Sequence, residues 1–366
     1  MPERPHILIV RLFAIGDVVM ATPAIRRIRE SVPLAHITAL VGSWSAPVLE
    51  QNPRLDDLIV VEDEIFFERK WRRLAKLAVS LRRNKFDAII SLHGSRPLNY
   101  LLFAAAGSGK FFCLTHPGTR TKADGRVEID LEKHKVELYT ELVEMATEET
   151  GKGRPVPFPE MFLSDAEVET GRKILASLFP MDSRNTIGIC PGGGKNPGSF
   201  EPSKRWGIDG YSKLARMLTE ETNHNIALIG KSDELSILQE IKKNAGDRVR
   251  IITGFDLRKV SAVIDQCVLV VGNDSGLLHI ASALGTPTVT IFGPTAPSHL
   301  RPYGAFSRYL YSNIPCSPCD VRKRDHRHPV VCSTMECMET IDPRDVLEEF
   351  RKVIHDAGII ESRTGA

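Results

Sequence analysis

The stretch Gly272-Asn273-Asp274-Ser275-Gly276 joins an apolar, β-type run (Val268–Val271) to a helix-like segment (Leu277–Leu284) that carries His279. A small-residue loop at such a junction presents the free N–H groups and positive dipole end of a helix, a setting that attracts phosphate. Asp274 can cap the helix or accept hydrogen bonds from a ribose or amide, while Ser275, Gly276 and His279 suit a phosphate. An ordinary helix N-cap is the competing reading. Asp17 holds a comparable place, after the tight turn that Gly16 permits. It reads as a general base or ligand carboxylate, or as a plain N-cap.

A third group, Pro191-Gly192-Gly193-Gly194-Lys195-Asn196-Pro197 with Ser203-Lys204-Arg205-Trp206 after it, lacks the spacing of a Walker A loop. Its glycines, Gly193 among them, still let backbone approach a diphosphate, and Lys204 can offset charge on a departing phosphate. Solvated charges ahead of a helix would look the same. Glu234 can accept from ribose hydroxyls or simply open its helix. His93 and Arg96 follow another strand end, as acceptor contacts or as loop polar groups. Cys316-x2-Cys319-x12-Cys332-x4-Cys337, with His326 and His328 between, has metal-ligand spacing. It admits a structural zinc or iron–sulfur site, and equally free thiols or disulfides.

The elements that must hold these groups are legible in the pattern. β-type runs at His6–Leu12, Ile37–Val41, Leu58–Val61, Ala88–Leu92 and Phe111–Leu114 alternate with helical patterns, which implies a parallel, doubly wound sheet. One helix is expected over Phe66–Lys85. Phe67, Trp71, Leu74, Leu77, Ala78 and Leu81 form its apolar stripe, with Arg69, Lys70, Arg72, Arg73, Lys76, Arg82 and Arg83 mostly elsewhere. That pattern fits a helix packed on a sheet with solvated charges, or a membrane-surface or anionic-acceptor patch. Thr115–Val127 reads as a loop and Lys133–Glu149 as a helix, with a structural His134 at its start. The spaced prolines of Arg154–Pro159 favour an extended linker. A second α/β set follows, with β-type runs at Thr186–Cys190, Asn225–Ile229, Val249–Ile252, Val268–Val271 and Val289–Phe292, and Asp342–Ala357 closes as an amphipathic helix.

With 366 residues the chain is long enough for two domains with cores of their own. At 42% hydrophobic and 26% charged residues it has an ordinary globular composition, and a net charge of +2 gives no support for nucleic-acid binding. No apolar run reaches the length of a membrane span, and MPERPHILIV lacks the apolar core and cleavage site of a signal peptide, so a cytoplasmic location is expected. Seven cysteines, three of them scattered in apolar surroundings, do not make a secreted disulfide framework.

Taken in order, Ile15-Gly16-Asp17-Val18…Pro23-Ala24, Pro202-Ser203-Lys204-Arg205-Trp206, Gly230…Glu234, Gly272-Asn273-Asp274-Ser275-Gly276…His279, Phe292-Gly293-Pro294-Thr295 and the Cys-Ser-Pro-Cys segment resemble the ADP-heptose:lipopolysaccharide heptosyltransferases, glycosyltransferase family 9. The resemblance spans nearly the whole chain. It implies a GT-B fold of two Rossmann-like domains facing a central cleft: an acceptor domain over 1–155, a nucleotide-sugar donor domain over 160–342, and a C-terminal helix, 343–366, returning toward the first. It also implies an inverting transfer of a sugar, heptose from ADP-heptose, to a lipopolysaccharide-type or other glycan or glycolipid acceptor, with no cofactor required for catalysis. Peripheral contact with the inner membrane is compatible with it.

By the same resemblance Asp17 is the general base and Lys204 the cation on the donor diphosphate. Glu234 lies by the ribose, and Asp274, Ser275, Gly276 and His279 hold the donor. The Gly-rich PGGGKNPGSFEPSKRW replaces a shorter hydroxyl-rich loop of the family. Two other functions fit this architecture: a nucleotide-sugar epimerase, and a catalytically idle nucleotide- or glycan-binding protein.

Overall fold

A computed structural model describes residues 2–68, 70–148, 154–196, 199–319, 332 and 334–359. The chain divides into two compact units, 1–162 with 196–198, and 163–195 with 199–366. In the first, β1 (His6–Val10), β2 (His36–Gly42), β3 (Asp57–Val61), β4 (Ala88–Ser91), β5 (Lys110–Thr115) and β6 (Gly125–Glu128) form a six-stranded sheet in the order β3-β2-β1-β4-β5-β6. Every neighbouring pair is parallel, with Ile7 opposite both Ile37 and Ala88. Parallel strands need crossovers, and α1 (Ile15–Ser31), α2 (Trp71–Arg83) and α3 (Arg96–Ala106) supply three of them, while α4 (Lys135–Thr147) follows the last strand and packs on α1. The central strands are apolar without alternation because both of their faces are covered; Ile7, Leu8, Val10, Ile89 and Ile90 are fully buried.

The second unit repeats this plan. Its strands are β7 (Thr186–Cys190), β8 (Asn225–Ile229), β9 (Val249–Ile252), β10 (Leu269–Asn273), β11 (Thr288–Phe292) and β12 (Ser307–Tyr311). They run in the order β9-β8-β7-β10-β11-β12, again all parallel. Its helices include α5 (Asp165–Leu178), α6 (Ile208–Glu221), α7 (Leu235–Ala245), α8 (Leu257–Asp265), α9 (Gly276–Leu284) and α10 (Pro343–Asp356). Both units are thus doubly wound Rossmann-type sheets, and each has one switch point where successive strands leave in opposite directions: β1/β4 and β7/β10.

Several expectations change. The segment read as a loop up to Val127 ends in β6, which pairs in parallel with β5; an edge place in a sheet overrides the weak strand propensity of Gly125-Arg126. β12 was not legible either. The expected Phe66–Lys85 helix is a short turn, Glu64–Phe67, followed by α2; Arg69 and the side chains of Phe67 and Trp71 lie outside the described residues. The closing helix α10 packs into the core of the second unit. Val346, Leu347, Phe350, Val353 and Ile354 join the core formed by Ile187, Leu214, Leu218 and Ile291, because its amphipathic face finds the β7–β11 side of that sheet. Among the described residues, no helix is long and apolar enough to cross a membrane.

Candidate functional site

Each unit gathers polar groups at its own switch point. In the first, Asp17 opens α1 directly after β1. The residue ahead of that helix, Ala14, has φ 62° and ψ 118°, a conformation that disfavours a Cβ and indicates strain held at this turn. Asp17 meets two cations: Lys135 Nζ, from the first residue of α4, donates to Oδ1 at 2.7 Å, and Arg11 Nη2 donates to Oδ2. Arg11 also donates from Nη1 to the Leu92 carbonyl at 2.8 Å and lies over the Tyr139 ring, 5.8 Å from its centroid. His93 is buried; its Nε2 accepts the Leu12 N–H at 2.8 Å and its Nδ1 is 3.3 Å from Arg11 Nη1.

The charge states follow. Burial alone would raise the Asp17 carboxyl, but Arg11 and then Lys135 override it and hold the group far below the usual carboxylate range. Burial and the adjacent Arg11 charge lower His93 well below its ordinary value, so its ring is neutral. Burial pushes the Tyr139 hydroxyl up. His93, 6% exposed, is therefore part of the brace behind Asp17. Arg96 is exposed; it donates to the Tyr100 hydroxyl at 3.3 Å and lies over that ring.

In the second unit Asp274 follows β10 and is buried. Lys204 Nζ donates to its Oδ2 at 2.8 Å, the Thr295 hydroxyl donates to the same oxygen at 2.9 Å, and His279 Nε2 stands 4.0 Å from Oδ1. Burial raises this carboxyl, and the charge of Lys204 followed by His279 brings it back below the ordinary value. Ser275 is the N-cap residue of α9, yet its side chain makes no capping bond; its hydroxyl oxygen is buried and, among the described residues, has no hydrogen-bond partner. A donor hydroxyl left this way at a helix N-terminus is prepared for an anion.

The Gly-rich loop is held against this cluster by two residues. Glu234 accepts from Gly193 N at 3.1 Å and Arg205 Nη2 at 2.7 Å through Oε1, and from Lys231 N at 3.0 Å through Oε2. Arg205 Nε returns a bond to the Gly193 carbonyl at 3.0 Å. A Cβ at Gly192 would stand 2.2 Å from Glu234 Oε1, and Gly193 has φ 113°, so the approach requires glycine at both places. Buried Asn273 is the second holder. It donates to the Pro191 and Gly192 carbonyls at 2.8 and 2.9 Å and accepts from Trp206 N and the Tyr211 hydroxyl at 2.9 and 2.8 Å. Pro197 and Gly198 lie outside the described residues.

The structure thus assembles Lys204, Asp274, Ser275, Gly276 and His279 around α9, with Gly193 and Glu234 beside them, and sets Asp17 apart in the first unit. Sequence reading missed Arg11, Lys135, Tyr139 and Thr295. Arg11 ends a strand as Asp274 does, a position that would have flagged it; nothing local marks Lys135.

The cysteine expectation is not supported. Among the described residues, no group of three or more His, Cys, Asp or Glu side chains is placed to hold a metal ion. Among the described residues, Cys316, Cys319, Cys332 and Cys337 form no disulfide. Cys337 is buried, and burial with the neighbouring thiols pushes its pKa up to about 11. His326 and His328 lie outside the described residues.

Comparison with known proteins follows the same lines. The sequence profile of glycosyltransferase family 9 (heptosyltransferase) matches residues 74–329. Lipopolysaccharide heptosyltransferase 2 of Salmonella typhimurium is 27% identical, over 96% of this chain and 99% of its own length. Lipooligosaccharide heptosyltransferase 2 of Haemophilus ducreyi is 28% identical, over 81% of this chain and 85% of its own. Among solved structures, a glycosyltransferase family 9 protein from Veillonella parvula superposes with a TM-score of 0.81 at 21% identity, covering 96% of this chain and 98% of its own. The ADP-heptose lipopolysaccharide heptosyltransferase II of E. coli gives 0.72 at 24%, covering 96% and 99%. The two parallel sheets are the GT-B architecture of these neighbours, and the chain is a glycosyltransferase that belongs to family 9, the heptosyltransferase family.

Proposed function

We propose that this enzyme transfers heptose from ADP-heptose to a lipopolysaccharide-type glycan acceptor by a single inverting displacement. The observation that carries the proposal is the α9 cluster, where a buried, unpartnered Ser275 hydroxyl, the Lys204 ammonium and a glycine backbone converge at a helix N-terminus. Asp17 accepts the proton of the acceptor hydroxyl as its oxygen attacks the anomeric carbon. The bond from that carbon to the diphosphate breaks, and the diphosphate leaves with the electron pair. Lys204 and the α9 N-terminus take up the growing charge. Because the diphosphate leaves without a proton, one carboxylate suffices, unlike the pair in glycosidases. Asp274 orients Lys204. His279 supports Asp274, and Gly276 lets the phosphate approach. Glu234 positions the Gly193 loop and meets the ribose through its remaining lone pairs. His93 braces the base, and Arg96 is the outer acceptor contact.

The names of the relatives support heptose and a lipopolysaccharide acceptor, and α2 gives a reason to place the enzyme at the cytoplasmic face of the inner membrane. Arg72, Lys76, Val79 and Arg83 lie on one exposed face of α2 by their spacing, and the helix has no acidic residue. Such a stripe suits anionic headgroups.

Calorimetric titration with ADP, UDP, GDP and CDP tests the donor. Selective ADP binding that Lys204→Ala weakens supports the proposal. A UDP preference, or release of free nucleotide diphosphate from a nucleotide sugar without acceptor, would favour the epimerase; no binding of any would favour the idle protein.

A further inference from the structure

The arrangement of Asp17 with its partners is poorly suited to the role just given it. Four side chains from three elements face this carboxylate: the turn after β1 brings Arg11, the end of β4 brings His93, and α4 brings Lys135 and Tyr139. With His93 and Tyr139 neutral, the cluster holds two cations and one anion, a surplus of one positive charge.

The two cations are anchored differently. Arg11 is fixed by the Leu92 carbonyl, the His93 ring and the Tyr139 face as well as by Asp17. Lys135 is on a flexible stem, 24% exposed against 15% for Arg11, and among the described residues Asp17 is its polar partner. Arg11 is thus a fixed support and Lys135 a movable one.

We propose that Lys135 is a positioning residue that locks Asp17 while the acceptor is absent, and that a carboxylate or phosphate on the incoming acceptor draws its ammonium off Oδ1. The inference rests on Asp17 being the base. Lys135 then holds the acceptor's anion, Arg11 alone holds Oδ2, and the vacated Oδ1 receives the hydroxyl proton. The surplus charge is what makes the exchange favourable: the acceptor's anion neutralises it. An acceptor lacking an anion near the accepting hydroxyl leaves the lock closed and the base weak, so Lys135 also selects among acceptors.

Two measurements separate the lock from the base. The Asp17 carboxyl is followed by 13C NMR against pH in the wild-type protein, Lys135→Met, Lys135→Gln and Lys135→Arg. In parallel, transfer to a deacylated lipopolysaccharide core oligosaccharide is measured for each, with Asp17→Asn as reference. The neutral variants should raise the Asp17 midpoint by at least about one unit, tenfold in proton affinity, with Lys135→Arg restoring it. They should also raise the acceptor KM by about tenfold while kcat holds within about threefold. An unmoved midpoint overturns the lock, and an unmoved KM with reduced kcat overturns the release. Near-normal turnover by Asp17→Asn removes the base instead, whatever the NMR shows.

Discussion

Asp17 and Asp274 each lie just beyond a central strand of their own sheet, β1 and β10 respectively, and each is bonded by a lysine, at 2.7 and 2.8 Å. Their surroundings differ. Asp17 is charged by two cations, over a helix start without a side-chain cap; Asp274 has one cation, one hydroxyl and a histidine 4.0 Å away. Asp17 is therefore held ionised more firmly than its burial would allow, inside a cluster that stays net positive. Asp274 nearly cancels Lys204, and the positive end of α9 with the Ser275 hydroxyl supplies the attraction for an anion. One switch point is organised to hold a carboxylate ionised, the other to aim a lysine.

Four experiments break or sharpen that contrast. The largest effect is expected from Asp17→Asn, which should lower transfer by about 10²–10⁴-fold with donor affinity little changed, measured by turnover and ADP titration. Asp274→Asn in the same assays should act mainly on donor affinity; equal losses of kcat from both would erase the distinction. Next, Lys204→Ala should weaken ADP binding by about 1.5–3 kcal/mol, the range for a charged hydrogen bond. Calorimetry showing unchanged affinity would remove Lys204 from the diphosphate.

A smaller effect concerns acid stability. Both carboxyls have folded pKa values below the ordinary 3.8, and Asp17 lies much further below it. A depressed group stabilises the fold above its unfolded pKa, and that stability is lost as pH falls from there through the folded value. Denaturant titrations below pH 4 should show the acid-side slope flattened more by Asp17→Asn than by Asp274→Asn. The smallest effect is at the turn that presents Asp17. Ala14→Gly should relieve its positive φ and raise stability by about 1 kcal/mol or less in thermal melts, whereas Ser275→Gly, at an extended residue with φ −150°, has no such strain to relieve.

How much was legible differs between the two clusters. The α9 cluster was readable because Gly272–His279 places backbone, hydroxyl and carboxylate within one strand–turn–helix unit. Even Lys204 sits in a local motif, although 70 residues from Asp274. The metal-ligand spacing of the cysteines finds no support: among the described residues no three such side chains are placed around one point, which spacing along the chain does not decide. The bracing place of His93 behind Arg11 was not legible, because a strand's end does not state which side chain will pack against it.

The sequence by itself determined the alternation of strands and helices, the two-unit plan and the strand-end places of Asp17 and Asp274, since these depend on periodicity and short turns. Tertiary structure alone decided which charges meet. Lys135 reaches Asp17 across 118 residues, Thr295 reaches Asp274 across 21, and the face of α10 found the second sheet. A hydrophobic period states which face of an element is buried but not which element will cover it. The partner of a charge depends on that second choice.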